Sequence, residues 1–117
     1  MIHFAFDLMK NEDRIIRGLR LFKERTGIDR RKASVYILTN YNTTLEEDIY
    51  RVKEVINAGY DPDVRIYRKE TAPQSVRDLQ RWCNSPIIRR TCDLEDYAPR
   101  VDGKTFRELY LNQLPVK

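Results

Sequence analysis

A cluster of hydrogen-bonding side chains follows the most apolar segment of the chain. Residues 35–38 form the uninterrupted apolar run V-Y-I-L, and residues 39–44 follow it as T-N-Y-N-T-T. A short apolar run bounded by polar residues predicts a strand buried on both faces. Thr44 and Glu47 have the spacing of a helix capping box. The segment therefore predicts a strand, a polar loop and a helix start, a junction where α/β folds bind ligands.

Other chemistry-bearing patterns are missing from the sequence. It contains no nucleophile–base pair, no phosphate-binding glycine loop and no zinc motif, and Cys83 and Cys92 lack the spacing of metal ligands. No apolar run approaches the ~20 residues that span a bilayer, and no signal peptide is evident. We therefore expect a cytoplasmic, reduced protein without a membrane partner.

The charge of the chain mildly favours anionic partners. The 117 residues carry a net charge of +4, and the pI is about 9.2. Two short basic runs stand out, R-R-K at residues 30–32 and R-R at residues 89–90. They could contact phosphate, but short basic runs interspersed with acids usually form solvated surface. Nucleic-acid binding is therefore an alternative function rather than the leading one.

The order of predicted elements is β-α-β-α-β-α. Strands starting near Ile2, Ser34 and Val64 are separated by about 30 residues, the length of a β-α-β crossover unit. Apolar residues at helical spacing follow each strand, and Gly27 and Gly59 come where the first two helices should end. We predict an α/β fold with a parallel sheet in the sequential order 1-2-3 and all helices on one face. Residues 99–117 are predicted to form a tail, with a possible short helix, that either wraps the helical face of residues 1–98 or covers a strand edge.

A one-sided sheet would leave a polar face uncovered. The helices should cover the alternating apolar positions Ile2, Phe4, Phe6, Val64 and Ile66. The opposite face should carry His3, Asp7, Arg65 and Tyr67. This face is either a solvent-exposed side of a small sheet or the lining of a cavity. Parallel sheets usually have both faces covered, and three strands cannot close a barrel. The chain is therefore expected to be part of something larger, cut just before a strand.

Four segments of the chain resemble the C-terminal half of radical S-adenosylmethionine (radical SAM) proteins. They are F-A-F-D (4–7), V-Y-I-L-T-N-Y-N-T-T (35–44), G-Y-D-P-D-V-R-I-Y-R-K (59–69) and D-L-Q-R-W-C-N (78–84). The resemblance implies the last three strands of a partial TIM-like (β/α)6 barrel. The C-x-x-x-C-x-x-C loop that holds the family's [4Fe–4S] cluster is absent from this chain.

The resemblance also implies which residues contact the cofactor. Asp7 matches a strand-end position that meets the ribose or methionine part of S-adenosylmethionine, although it could instead cap the first helix. Asn40 and Asn42 end the second strand, where another polar contact is usual, although they could instead be loop residues that satisfy the backbone of the turn. Ile66 and Tyr67 lie on the last strand, which flanks adenine. Short polar side chains at strand ends suit a ribose diol and a zwitterionic amino acid.

The leading expectation is therefore a fragment of a radical SAM iron–sulfur enzyme. It would contribute part of the S-adenosylmethionine-binding wall and would be inactive without the missing N-terminal half of the barrel, because three thiolates are needed to hold the cluster. The alternatives are a basic α/β module that binds nucleic acid and a protein-interaction module that self-associates through open sheet edges.

Overall fold

A three-stranded parallel sheet forms the centre of the protein. The computed structural model describes residues 2–6 and 12–112. Strands β1 (Ile2–Phe6), β2 (Ala33–Thr39) and β3 (Asp61–Ile66) lie in the order β1-β2-β3. Phe6 is in register with Ile37, which in turn is in register with Val64. The predicted α/β class, parallel pairing and sequential strand order are confirmed.

In the part of the chain that the structure describes, four α-helices accompany the strands. They are α1 (Glu12–Thr26), α2 (Leu45–Asn57), α3 (Gln74–Cys83) and α4 (Pro86–Thr91). The capping box predicted at Thr44 and Glu47 is present in both directions. Gly27 (φ 61°) and Gly59 (φ 91°) follow α1 and α2 in a left-handed conformation that glycine adopts without steric cost. Among the described residues, no helix is both long and apolar enough to cross a membrane.

Burial alternates along the central strand. Val35 and Ile37 are fully buried, whereas Tyr36 and Leu38 are half-buried. The expectation that this strand is buried on both faces is wrong for this chain, because the helices pack on one face only. The covered face carries the buried Phe6 and Val64 and the half-buried Phe4 and Ile66, as predicted. Ile2 is 42% exposed, so the prediction that the helices cover it is wrong.

The third strand begins earlier than its composition suggests. The pair Asp61-Pro62 reads as a breaker, yet β3 starts at Asp61, and Pro62 is buried in register with Val35. Proline is tolerated here because β3 is an edge strand, where one side of the backbone needs no ladder hydrogen bond. At its other end the strand stops at Ile66, so Tyr67 lies in the following turn rather than on the strand.

The C-terminal part of the described chain packs against α3 and the hydrophobic core. A 3-10 turn (Leu94–Asp96) and a π-helical turn (Arg107–Leu111) follow α4. Phe106 is fully buried in the core, and its backbone N–H donates to the Tyr97 carbonyl at 2.7 Å. The buried Asp78 of α3 accepts hydrogen bonds from Tyr110 and Arg100. Residues 100–112 therefore complete the core that the sheet and helices begin.

Candidate functional site

Three residues with a strained backbone conformation lie at the carboxyl edge of the sheet, which is the edge formed by the C-terminal ends of its strands. Asn40 (φ 61°) and Asn42 (φ 53°) follow β2, and Arg68 (φ 50°) follows β3, all in the left-handed region. Such conformations cost about 1–3 kcal/mol each when the residue is not glycine, and they are enriched at functional sites. The loop after β2, in which the sequence predicts ligand contacts, thus contains two of these strained residues, Asn40 and Asn42.

Asn40 ties the two strand ends together. Its side-chain Nδ2 donates to the Tyr67 carbonyl at 3.1 Å, and the Tyr67 N–H donates to the Thr39 carbonyl at 3.0 Å. The backbone N–H of Asn40 donates to the Asp48 carboxylate at 3.2 Å. Asn40 therefore has a structural role in joining β2 to β3. Its side-chain amide and its backbone N–H both already donate hydrogen bonds within the protein.

Asn42 and two tyrosines are more accessible. The exposed side chain of Asn42 makes no hydrogen bond to any described residue. Tyr41 and Tyr67 are 36% and 38% exposed and contact each other edge to face, with 4.8 Å between ring centroids. The Arg68 guanidinium lies 5.3 Å from the Tyr67 ring centroid. These residues form an aromatic and polar platform at the carboxyl edge, suited to stacking a planar ligand.

A buried ion pair supports this edge from within α2. Arg51 is fully buried and donates to the Asp48 carboxylate at 2.6 Å. The same guanidinium donates to the carbonyls of Phe6 and Leu38, both at 2.8 Å, near the carboxyl ends of β1 and β2. Sequence reasoning missed this pair, because charged residues three positions apart on a helix are usually a surface pair.

The structure places the five sequence-predicted site residues in different environments. Asn40 and Tyr67 are in direct contact, and Asn42 lies in the same edge loop. The side chain of Ile66 instead packs against the core on the covered face, so only its backbone is at the edge. Asp7 lies outside the described residues. The structure thus brings Asn40, Asn42 and Tyr67 to one edge.

The uncovered face of the sheet carries a second polar and aromatic cluster. His3 Nδ1 hydrogen-bonds to Ser34 Oγ at 2.8 Å, and the His3 ring stacks on Tyr36 with 4.9 Å between centroids. Arg65 lies 4.8 Å from the Tyr36 centroid and forms two 3.0 Å hydrogen bonds with Asp63, which raise the pKa of Arg65. Histidine, tyrosine and a permanent cation on one face are more typical of a contact surface than of bare solvent-exposed sheet.

The thiols do not fit an iron–sulfur cluster. Cys83 is fully buried, and burial raises the pKa of its thiol, which disfavours the thiolate that binds metal. Cys92 is half-buried near the end of α4. With only two cysteines in the sequence, three thiolate ligands cannot come from this chain. The described residues also contain no group of three side chains placed to hold a metal ion.

Comparisons with protein-family models, with curated proteins and with solved structures give no significant match to this chain. The resemblance to radical SAM proteins therefore depends on the four sequence segments alone and stays a prediction.

Proposed function

We propose that this chain forms the last three β-α units of a partial (β/α)6 barrel in a radical SAM iron–sulfur enzyme. It would contribute part of the S-adenosylmethionine-binding wall and would not be catalytic alone. The observation that carries the proposal is the one-sided sheet, with three parallel strands in sequential order, helices on one face and polar and aromatic side chains on the other.

This geometry suits a barrel wall. In β/α barrels the helices form the outer ring, the strands run in sequential order, and ligands bind at the carboxyl ends of the strands. The face bearing His3, Tyr36 and Arg65 would point towards the barrel interior. The edge bearing Asn42 and Tyr67 would lie at its mouth. The missing N-terminal half would supply the other walls.

The edge residues fit parts of the cofactor. Asn42 offers an unengaged amide for a ribose hydroxyl or an amino-acid group, and Tyr67 offers an exposed ring beside the position expected for adenine. When bound, the [4Fe–4S] cluster and S-adenosylmethionine would supply the radical chemistry. The cluster would be held by the other half, because the thiols of this chain do not fit it.

The reading frame in the source DNA tests the proposal first. We expect an upstream segment that encodes C-x-x-x-C-x-x-C and is continuous with, or adjacent to, the codon for Ile2. A transcript that begins at Met1, with no such segment in the neighbouring genes, would remove the main support for a barrel fragment.

Cofactor binding by the assembled protein tests the site. Asn42→Gly removes the amide and keeps the left-handed conformation accessible, so loss of affinity would reflect the side chain rather than strain. We expect the dissociation constant for S-adenosylmethionine, measured by equilibrium dialysis, to rise up to about tenfold, the value of one hydrogen bond. Asn57→Ala, an exposed change at the end of α2, is the matched control. Equal affinity in both variants would refute the assignment of Asn42.

A protein-interaction module is the second candidate, favoured by the half-exposed Tyr36 and Leu38 on the uncovered face. It predicts a partner that covers this face without any S-adenosylmethionine binding by the complex. The same dialysis experiment therefore discriminates between the two functions.

A further inference from the structure

The two basic runs of the sequence meet at one cavity. Arg30 and Arg31, which precede β2, and Arg89 and Arg90, at the end of α4, line a cavity of about 320 Å³. The cavity lies at the amino end of the strands, since Asp61, the first residue of β3, is also part of its wall. It thus lies at the opposite end of the strands from the carboxyl edge that bears Asn42 and Tyr67.

The wall of this cavity has an excess of positive charge. Four arginines and the carboxylates of Asp61 and Asp93 line the wall, and Arg31 is also paired with the Asp29 carboxylate at 3.5 Å, which together leaves a net charge of +1. Asp61 is shared, because its Oδ1 accepts a hydrogen bond from Arg89 at 3.2 Å and lies 3.9 Å from Arg30. Two guanidinium groups therefore compete for one acceptor.

Two of the arginines retain unused donors. The side chain of Arg89 is only 10% exposed, and its Nε is buried without a hydrogen-bond partner in the described part of the chain. Arg90 is exposed and forms no ion pair with any described residue. The exposed guanidinium of Arg90 is therefore available to a ligand anion, and charge-assisted hydrogen bonds from guanidinium groups are the strong kind that hold phosphate.

The rest of the cavity is apolar and contains the single tryptophan of the chain. Trp82, Ile56 and Pro86 line this part. Trp82 is 6% exposed, and its Nε1 donates to the Cys92 carbonyl at 3.1 Å, which fixes the orientation of the ring. A ligand with a flat apolar part could pack here while its charged group contacts the arginines.

We propose that this cavity binds a small phosphate monoester that carries an aromatic ring. The phosphate would contact Arg30, Arg89 and Arg90, and the ring would pack on Trp82. A volume near the lower end of the range for ligand sites favours a small molecule. The carboxylates of Asp61 and Asp93 disfavour a long polyanion such as a nucleic acid strand. The proposal is independent of the radical SAM assignment.

Trp82 provides a direct reporter, because it is the sole tryptophan and lines the cavity. We expect phenyl phosphate, added to the full chain at low ionic strength, to change the tryptophan fluorescence saturably. Inorganic phosphate should reverse the change by competition. Phenol at the same concentrations should have no saturable effect, since the arginines require the anion.

Variants localise the response. The double variant Arg30→Ala/Arg90→Ala removes two exposed cations and should weaken phenyl phosphate binding by about tenfold or more. Arg14→Ala/Arg17→Ala changes the net charge equally on the exposed side of α1 and should leave the affinity unchanged. Circular dichroism would confirm that both variants are folded.

Three outcomes would overturn the proposal. They are a response that phenol reproduces, equal weakening in both double variants, and salt-sensitive binding of a single-stranded oligonucleotide that phenyl phosphate does not displace. The last outcome would assign the basic runs to nucleic-acid binding instead.

Discussion

The guanidinium of Arg51 and the carboxylate of Asp48 form a fully buried ion pair with an N–O distance of 2.6 Å. Asp48 also accepts a hydrogen bond from the Thr43 hydroxyl at 2.6 Å, and Arg51 reaches the Phe6 and Leu38 carbonyls. The pair therefore links α2 to the ends of two strands and to the loop after β2. A disturbance of it should affect both stability and the candidate site.

Breaking this pair from one side should be strongly destabilising. Arg51→Met leaves the Asp48 carboxylate buried without its cation, so we expect a loss of about 3–5 kcal/mol in the free energy of unfolding. The double variant Arg51→Met/Asp48→Asn should lose much less than the sum of the single variants, because no unpaired charge remains. Urea titration measures each value, with the exposed Arg14→Met as control. Strictly additive losses would contradict the coupling.

The tail should prove integral to the core. Phe106 is fully buried, so Phe106→Ala should cost about 3–5 kcal/mol in the free energy of unfolding. Val101→Ala, at an exposed position of the same segment, should change it by less than about 0.5 kcal/mol. Thermal or urea unfolding compares the two. If Phe106→Ala changed the free energy of unfolding as little as Val101→Ala does, residues 99–117 would contribute little to the stability of the fold.

Burial of Cys83 should make the fold sensitive to alkaline pH. Burial raises the pKa of this thiol, so the folded protein keeps the proton that the unfolded chain releases at about pH 8.5. The raised pKa means that this contribution to stability is complete below about pH 8.5 and is lost as the pH rises further. The loss should be about 1.4 kcal/mol per pH unit.

Unfolding free energies measured by urea at increasing pH test this. Cys83→Ala lowers stability at neutral pH by forming a cavity, but its free energy should then fall less steeply with pH than that of the unchanged chain. Val55→Ala, another fully buried position without a titratable group, should keep the original slope. Parallel slopes in all three proteins would show that Cys83 ionises normally.

The edge of β1 should promote self-association. This strand carries mainly apolar residues, Ile2 is 42% exposed, and among the described residues β1 pairs with β2 alone. The unpaired backbone groups of an apolar edge strand can pair with the edge strand of another chain, and a lysine side chain on the edge strand disfavours this pairing. We expect sedimentation velocity to show association that rises with concentration and is reduced by Ala5→Lys. Val101→Lys is the control for added charge. A monomer at every concentration would contradict the expectation.

Several features of the fold were predictable because they depend on short stretches of chain. Alternation of apolar residues in β1 and β3, the capping box at Thr44, and glycines after α1 and α2 all act within a few residues. The spacing of the strands then restricted the topology, since a crossover of this length gives parallel neighbours. The start of β3 was misjudged, because proline is a breaker in general but acceptable on an edge strand.

The sequence by itself determined the β-α-β-α-β-α order, the parallel sheet with one uncovered face, and the polar loop after β2. Only the tertiary structure decided that Arg51 is buried, that Tyr67 lies in the turn after β3, and that basic runs separated by two β-α units share one cavity. The physical reason is the separation along the sequence over which each kind of interaction acts. Local patterns specify elements, whereas burial of a charge or convergence of distant arginines depends on which surfaces the packed elements bring together.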